Sequence, residues 1–234
     1  MGSRKAEICV ALDTQDADRA SALAAALRGL AAYVKVGMEL FYAAGPAGYA
    51  KVARAGIPVF LDLKLHDIPN TVAQGLDSLM RLPIRPAIVN VHATGGPAMM
   101  EAARAAVAGR ARLVAVTLLT SLDGEDLAAA GFDTARDTAT HVAQLASLAQ
   151  SCGLDGVVCS PRDLASVRAA CGEDFLTIVP GIRPPGSDMA DQKRIATPRA
   201  AQQAGANIVV IGRPITQAAD PVRAAGAIVA QLQG

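Results

Sequence analysis

The sequence has no excess of either charge. Its 22 lysines and arginines face 21 acidic residues, a formal net charge of +1 over 234 residues. No global field therefore draws the chain to nucleic acid or to an anionic membrane, although a few local cations can still hold a small anion. Charge is also sparse. Charged residues make up 18% and apolar residues 52%, which excludes a disordered, self-repelling chain and supplies a sizeable core. No apolar run reaches the roughly 18 residues that span a bilayer, and residues 1–5 lead into an apolar strand without a signal-peptide layout. The expected location is the cytoplasm. The four cysteines, Cys9, Cys152, Cys159 and Cys171, form no CxxC pair. Cys9 and Cys159 sit inside apolar runs and read as small buried hydrophobes, not as ligands or disulfides. No His, Cys or carboxylate spacing resembles a metal site. His66 falls where a turn begins, His92 ends a strand and reads as a loop-orienting residue, and His141 lies in a helical stretch as a surface or packing residue. Linkers, low-complexity tracts and short repeats are absent, so one domain over 1–234 is expected.

Against these absences stands a strong alternation. Short runs rich in Val, Ile and Leu occur at 7–13, 33–38, 58–65, 87–93, 112–120, 156–160, 176–181 and 207–212. Several are nearly continuous in apolar residues, as strands buried on both faces should be. Ala- and Leu-rich stretches of helical length, such as 16–30, 71–82, 96–108, 137–152 and 162–171, lie between them. Eight such units in one domain-length chain predict an α/β fold, a closed parallel (β/α)8 barrel. An open doubly wound sheet would normally place a glycine-rich loop after its first strand; here the chain reads Ala11-Leu12-Asp13-Thr14-Gln15. Two connections, 121–136 and 182–197, are long enough to suggest function.

In such a barrel the reactive groups belong at the C-terminal ends of the strands. The third strand is the informative one, reading Phe60-Leu61-Asp62-Leu63-Lys64-Leu65. Asp62 and Lys64 are two apart and share a side of the strand. A charge facing the outer helices would be buried against apolar surface at high cost. The leucines should take that side, and the two charges should face the barrel mouth. The competing reading is a salt bridge that merely plugs the barrel; Lys35 and Asp67 at neighbouring strand ends weigh against it. Alternating charges at close range keep lysines protonated and carboxylates ionised, and a fixed ammonium can deliver a proton where negative charge develops. A second constellation lies at the eighth strand's end. Gly212 gives backbone amides room to approach an anion, and Arg213 can clamp phosphate oxygens through its fork. The Pro- and Gly-rich stretch 181–194, with Arg183 and Gln192, reads as a lid.

Asp62-Leu-Lys64-Leu-His66-Asp67-Ile68-Pro-Asn-Thr71 resembles the DxKxxDIPNT signature of the orotidine 5′-phosphate decarboxylases. Leu12-Asp13, Val34-Lys35-Val-Gly, Val91-His-Ala-Thr-Gly-Gly, Leu119-Thr120-Ser, Pro180-Gly-Ile-Arg183-Pro, Asp191-Gln192 and Ile211-Gly212-Arg213 look like that family's motifs in order, so the resemblance spans nearly the whole chain. It implies a homodimeric enzyme, without metal or organic cofactor, that converts orotidine 5′-monophosphate (OMP) to UMP and CO2, the last step of pyrimidine nucleotide synthesis. By that resemblance Lys64 protonates C6, Asp62 sits by the departing carboxylate, and Lys35 and Asp67 complete the network. The partner subunit would contribute Asp67, Ile68 and Thr71. Asp13 and Lys35 would touch the ribose, Thr120 and Pro180 the base, and Arg183, Gln192, Gly212 and Arg213 the phosphate and lid. Two other readings stay open. One is an Mg2+-dependent phosphosugar decarboxylase or aldolase of the same superfamily, which Lys35 disfavours by repelling a metal. The other is a non-catalytic phosphate-binding barrel. A Schiff-base role for Lys64 is disfavoured by its flanking carboxylates.

Overall fold

The computed structural model describes residues 5–184 and 196–233. Eight parallel strands pair in sequence order, and the eighth closes on the first. They are β1 (Glu7–Ala11), β2 (Tyr33–Gly37), β3 (Val59–Leu65), β4 (Ile88–His92), β5 (Arg112–Val116), β6 (Gly156–Val158), β7 (Leu176–Val179) and β8 (Ile208–Ile211). The helices that alternate with them are α1 (Ala17–Ala26), α2 (Met38–Ala53), α3 (Pro69–Met80), α4 (Gly96–Val107), α5 (Gly124–Ala129), α6 (Thr138–Ser151), α7 (Leu164–Cys171), α8 (Pro198–Gln203), α9 (Arg213–Thr216) and α10 (Pro221–Gln233). The expected (β/α)8 barrel is the observed fold.

The period of two along each strand divides the apolar residues between two cores. One set, with Cys9, Phe60, Ile88, Val114, Ile178 and Ile208, packs inside the barrel. The residues next to them, among them Ile8, Val10, Val59, Leu61, Val89 and Leu113, pack outward against the helices. The interior is thus filled with side chains below the mouth, as barrels of this size require. All four cysteines are buried and free. Burial pushes the Cys159 thiol up to about 12, so it stays protonated. Among the described residues no helix is long and apolar enough to cross a membrane.

Local chemistry sets the helix ends. Asp16 accepts from the amides of Asp18 and Arg19 to start α1, Asp137 accepts from Thr140 to start α6, and Pro69 opens α3. One feature departs from the sequence expectations. β5 stops at Val116, short of the expected 120, and the connection 121–136 contains α5, whose N-terminus is closed by a reciprocal capping box between Asp123 and Asp126. His141 fastens this connection: its Nε2 lies 2.9 Å from the Asp133 carbonyl, and its ring meets Phe132 edge-on. Within α2, Gly45 with φ of 59° breaks the helix just before Pro46.

Candidate active site

A cavity of about 260 Å3 opens at the C-terminal ends of the strands. One wall is a chain of four charges supplied by the loop after β1 and by β2 and β3. Asp13 Oδ1 lies 3.1 Å from Lys35 Nζ, and Lys35 Nζ lies 3.3 Å from Asp62 Oδ2. Asp62 Oδ1 in turn accepts from Lys64 Nζ at 2.8 Å. Register explains the grouping, because Ala11 pairs with Lys35, and Gly37 pairs with Asp62. A side chain at Gly37 would begin only 3.0 Å from Lys35 Nζ, so glycine keeps that ammonium's space open.

Burial is graded along the chain of charges. The side chain of Asp62 is 9% exposed and that of Lys35 13%, against 57% for Asp13. Burial opposes ionisation of Asp62, but the ammoniums of Lys35 and Lys64 outweigh it and hold the carboxyl below the usual carboxylate range. Burial likewise opposes charge on Lys35, and the carboxylates of Asp62 and Asp13 outweigh it and raise its proton affinity. Both groups are therefore ionised at neutral pH.

The remaining walls differ in kind. Phe60, Val116, Val158 and Val210 give the cavity an apolar side. Gly212, Arg213 and the buried Arg183 gather at the ends of β7 and β8. Arg183 donates from Nη1 to the Ile182 carbonyl at 3.0 Å. The geometry offers ionised groups of both signs beside an apolar wall, with two guanidiniums at one end. That suits a small anionic ligand with a planar apolar part.

The sequence model of the orotidine 5′-phosphate decarboxylase / HUMPS family matches residues 6–228. The chain belongs to that family. It is 49% identical to the orotidine 5′-phosphate decarboxylase of Paramagnetospirillum magneticum, over 96% of this chain and 97% of the relative. It is 50% identical to that of Novosphingobium aromaticivorans, over 96% of this chain and 98% of the relative. A crystal structure of orotidine 5′-phosphate decarboxylase from Lactobacillus acidophilus superposes with a TM-score of 0.84 at 36% identity, covering 98% of this chain and all of that one.

Of the residues expected from sequence, Asp13, Lys35, Asp62, Lys64, Thr120, Pro180, Arg183, Gly212 and Arg213 all line the cavity of this decarboxylase-family barrel. Asp67, Ile68 and Thr71 do not. They are exposed, and the Asp67 carboxylate accepts from the Ile68 amide at 2.7 Å. The expected place of Asp67 is the partner subunit's cavity, and within this chain Asp13 is the fourth charge of the wall. The physical reason is the turn after His66, which leads into Pro69 at the start of α3 and carries Asp67 out of the cavity. Gln192, and most of the 181–194 stretch read as a lid, lie outside the described residues. His66 stacks on His92, with centroids 5.3 Å apart. Burial, followed by His66 and Lys64, keeps His92 below its ordinary proton affinity.

Sequence reasoning missed Asn90. This β4 residue is 1% exposed and donates from Nδ2 to Asp62 Oδ1 at 2.7 Å. The signal was present: Asn90 stands two residues after Ile88, in the inward row of a strand that is otherwise apolar up to His92. A buried amide there requires partners.

Proposed function

We propose that this chain decarboxylates OMP to UMP and CO2, as a single domain over 1–234 acting in homodimers, in the cytoplasm where nucleotides are assembled. One observation carries the reading. Lys64 Nζ is fixed 2.8 Å from the buried Asp62 carboxylate inside a cavity that also holds Arg183 and Arg213. The phosphate would sit against Gly212, Arg213 and Arg183, with Gln192 joining them. The ribose would lie at Asp13 and Lys35, and the base at Thr120 and Pro180. This pose directs C6 and its carboxylate toward Asp62 and Lys64.

The bond from C6 to the carboxylate then breaks, and CO2 leaves with its electron pair left on C6. Lys64 Nζ supplies the proton that forms the new C6–H bond, and the neutral amine recovers a proton from solvent. The apolar wall excludes water, which strengthens every charge interaction in the cavity. Grip on the remote phosphate offsets the cost of holding the substrate carboxylate near Asp62.

The Mg2+-dependent reading of this family fits less well. The Lys35 ammonium stands 3.1 Å from Asp13 and 3.3 Å from Asp62, the position that a divalent cation shared by those carboxylates would take. The deciding assay follows loss of OMP absorbance by purified protein in the presence of a chelator. Full turnover is expected; activity that appears only when Mg2+ is restored would favour the metal-dependent relatives.

The phosphate assignment has its own test. Arg213→Ala should weaken UMP binding roughly 100-fold, about 2.7 kcal/mol, because a charge-assisted contact is lost. Uridine binding should barely change. Equal losses for both ligands, measured by calorimetry, would remove the phosphate role.

Exposed apolar residues at the mouth support the homodimer. Met38 and Tyr42 on α2 are 43% and 70% exposed, and Ile68 beside α3 is 66% exposed. A second copy docked here would cover them and bring its own Asp67, Ile68 and Thr71 toward this cavity.

A further inference from the structure

We infer that Asn90 positions the proton-donating lysine: its single amide group ties the Asp62 carboxylate to the backbone of Lys64. The inference rests on the decarboxylase reading for what that lysine does, and on geometry for the positioning itself.

β3 is irregular where the chemistry sits. Leu61 pairs with Val89 and Leu65 with Val91, so four steps along β3 answer two along β4. The surplus is absorbed in a bulge. Within it Lys64 has φ of 51°, a left-handed conformation that costs a non-glycine residue roughly 1–3 kcal/mol. Something must hold it there. The Lys64 N–H donates to the Asn90 side-chain oxygen at 2.8 Å, in place of a strand carbonyl. The other end of the same amide donates to Asp62 Oδ1 at 2.7 Å. The two bonds fix the amide's orientation without ambiguity. A backbone N–H needs an acceptor, a carboxylate needs a donor, and the flipped amide would satisfy neither.

Asp62 Oδ1 thus receives Lys64 Nζ and Asn90 Nδ2 together. The ammonium and its own backbone are both referenced to one buried amide. The bulge swings Lys64 out of the regular ladder, and Asn90 determines how far. An apolar residue of similar size would leave the Lys64 N–H unpaired and release the bulge. Misplacement of a reacting group by about 1 Å costs on the order of 100-fold in rate. The groups facing Asp62 are Lys35 from β2, Lys64 from β3, and Asn90 and the more distant His92 from β4, with Cys9 of β1 below it. Among them Asn90 is the neutral hydrogen-bond donor, and its bond helps to keep Asp62 ionised.

Two variants test this, Asn90→Leu and Asn90→Asp. In Asn90→Leu, kcat for OMP should fall roughly 100-fold, with KM within about threefold because the phosphate contacts are untouched. The acid limb of its kcat–pH profile should move to higher pH, since Asp62 loses a donor that favours its ionised form. Asn90→Asp keeps an oxygen for the Lys64 amide but sets a second carboxylate against Asp62. Its acid limb should move up further. Hydrogen exchange at the Lys64 amide reads the positioning without turnover: slow in the wild type and in Asn90→Asp, at least about tenfold faster in Asn90→Leu. Wild-type kcat with an unmoved acid limb, or unchanged exchange at Lys64, overturns the proposal. Should Asn90→Leu fail to fold, wild-type kcat and an unmoved limb in Asn90→Asp overturn it equally. Should the wild type leave OMP untouched, the decarboxylase reading falls alone, and the exchange result still decides whether Asn90 holds the lysine.

Discussion

Lys64→Ala should lower OMP turnover by about 10⁴-fold, the upper end of what a positioned general acid contributes. The reason for so large a loss is geometric. Lys64 is the ammonium that Asp62 Oδ1 holds at 2.8 Å, whereas Lys35 is engaged on the far oxygen by Asp62 and Asp13 together. Lys35 cannot replace it without breaking both contacts. The cavity should survive, because Asp62 keeps Lys35 at 3.3 Å and Asn90 at 2.7 Å. UMP should therefore bind within about threefold of the wild type. Normal turnover by purified Lys64→Ala protein would exclude the proposed chemistry. The same variant tests the shared site. Mixed with Asp67→Ala, which on the proposed reading is also inactive, it should form heterodimers in which one of the two cavities would have both an intact Lys64 and the partner's Asp67. Recovery toward about a quarter of wild-type turnover at equal mixing is expected for such a twofold dimer. No recovery on verified subunit exchange would remove Asp67 from the partner's site.

The barrel was legible in the sequence because its strands are buried on both faces, so their apolar runs stand out from the helices between them. The mouth was legible for a related reason: charges inside apolar strands have few places to go. Asp62 and Lys64 do meet in the cavity, but the period-of-two argument reached that result without the bulge. The bulge arises from pairing between β3 and β4, a relation between distant segments that no local pattern encodes. Asn90 showed in the sequence as a polar residue in β4's inward row, but what it binds did not. Its role exists only once β4 lies beside the distorted part of β3. Sequence proximity of Asp67 to Lys64 says nothing about where the strand ends, and Asp67 stands exposed outside the cavity of its own chain. Pro69 at the start of α3 was the available sign that the chain turns away first. The break in α2 at Gly45-Pro46 had a local signal, whereas α5 was hidden in a segment whose capping carboxylates, Asp123 and Asp126, also suit a loop.

Lys35→Met should be the most destabilising single change in the charged wall, and its effect should depend on pH in both directions. Removing one partner of a buried ion pair leaves the other uncompensated and costs about 3–5 kcal/mol. Here Asp62 would keep Lys64, so the lower end, about 3 kcal/mol, is expected near neutral pH. In the wild type the Asp62 carboxyl is held below its ordinary value of 3.8. The stability it contributes is present above the unfolded value and is lost as pH falls through the depressed folded value. Lys35 is shifted above its ordinary 10.5. Its contribution is present below that value and is lost as pH rises through the raised folded value. The difference between wild type and Lys35→Met, measured by urea denaturation, should therefore be greatest between the carboxylate and lysine ranges and shrink on either side. A difference independent of pH would mean that Lys35 acts through packing of its aliphatic stem, and the electrostatic account of the wall would fail. The variant also frees the space between Asp13 and Asp62. If that ammonium is what keeps divalent metal out, Lys35→Met should bind Mn2+ detectably by electron paramagnetic resonance under conditions where the wild type does not. Equal Mn2+ binding by the two proteins would return the metal-dependent relatives to consideration.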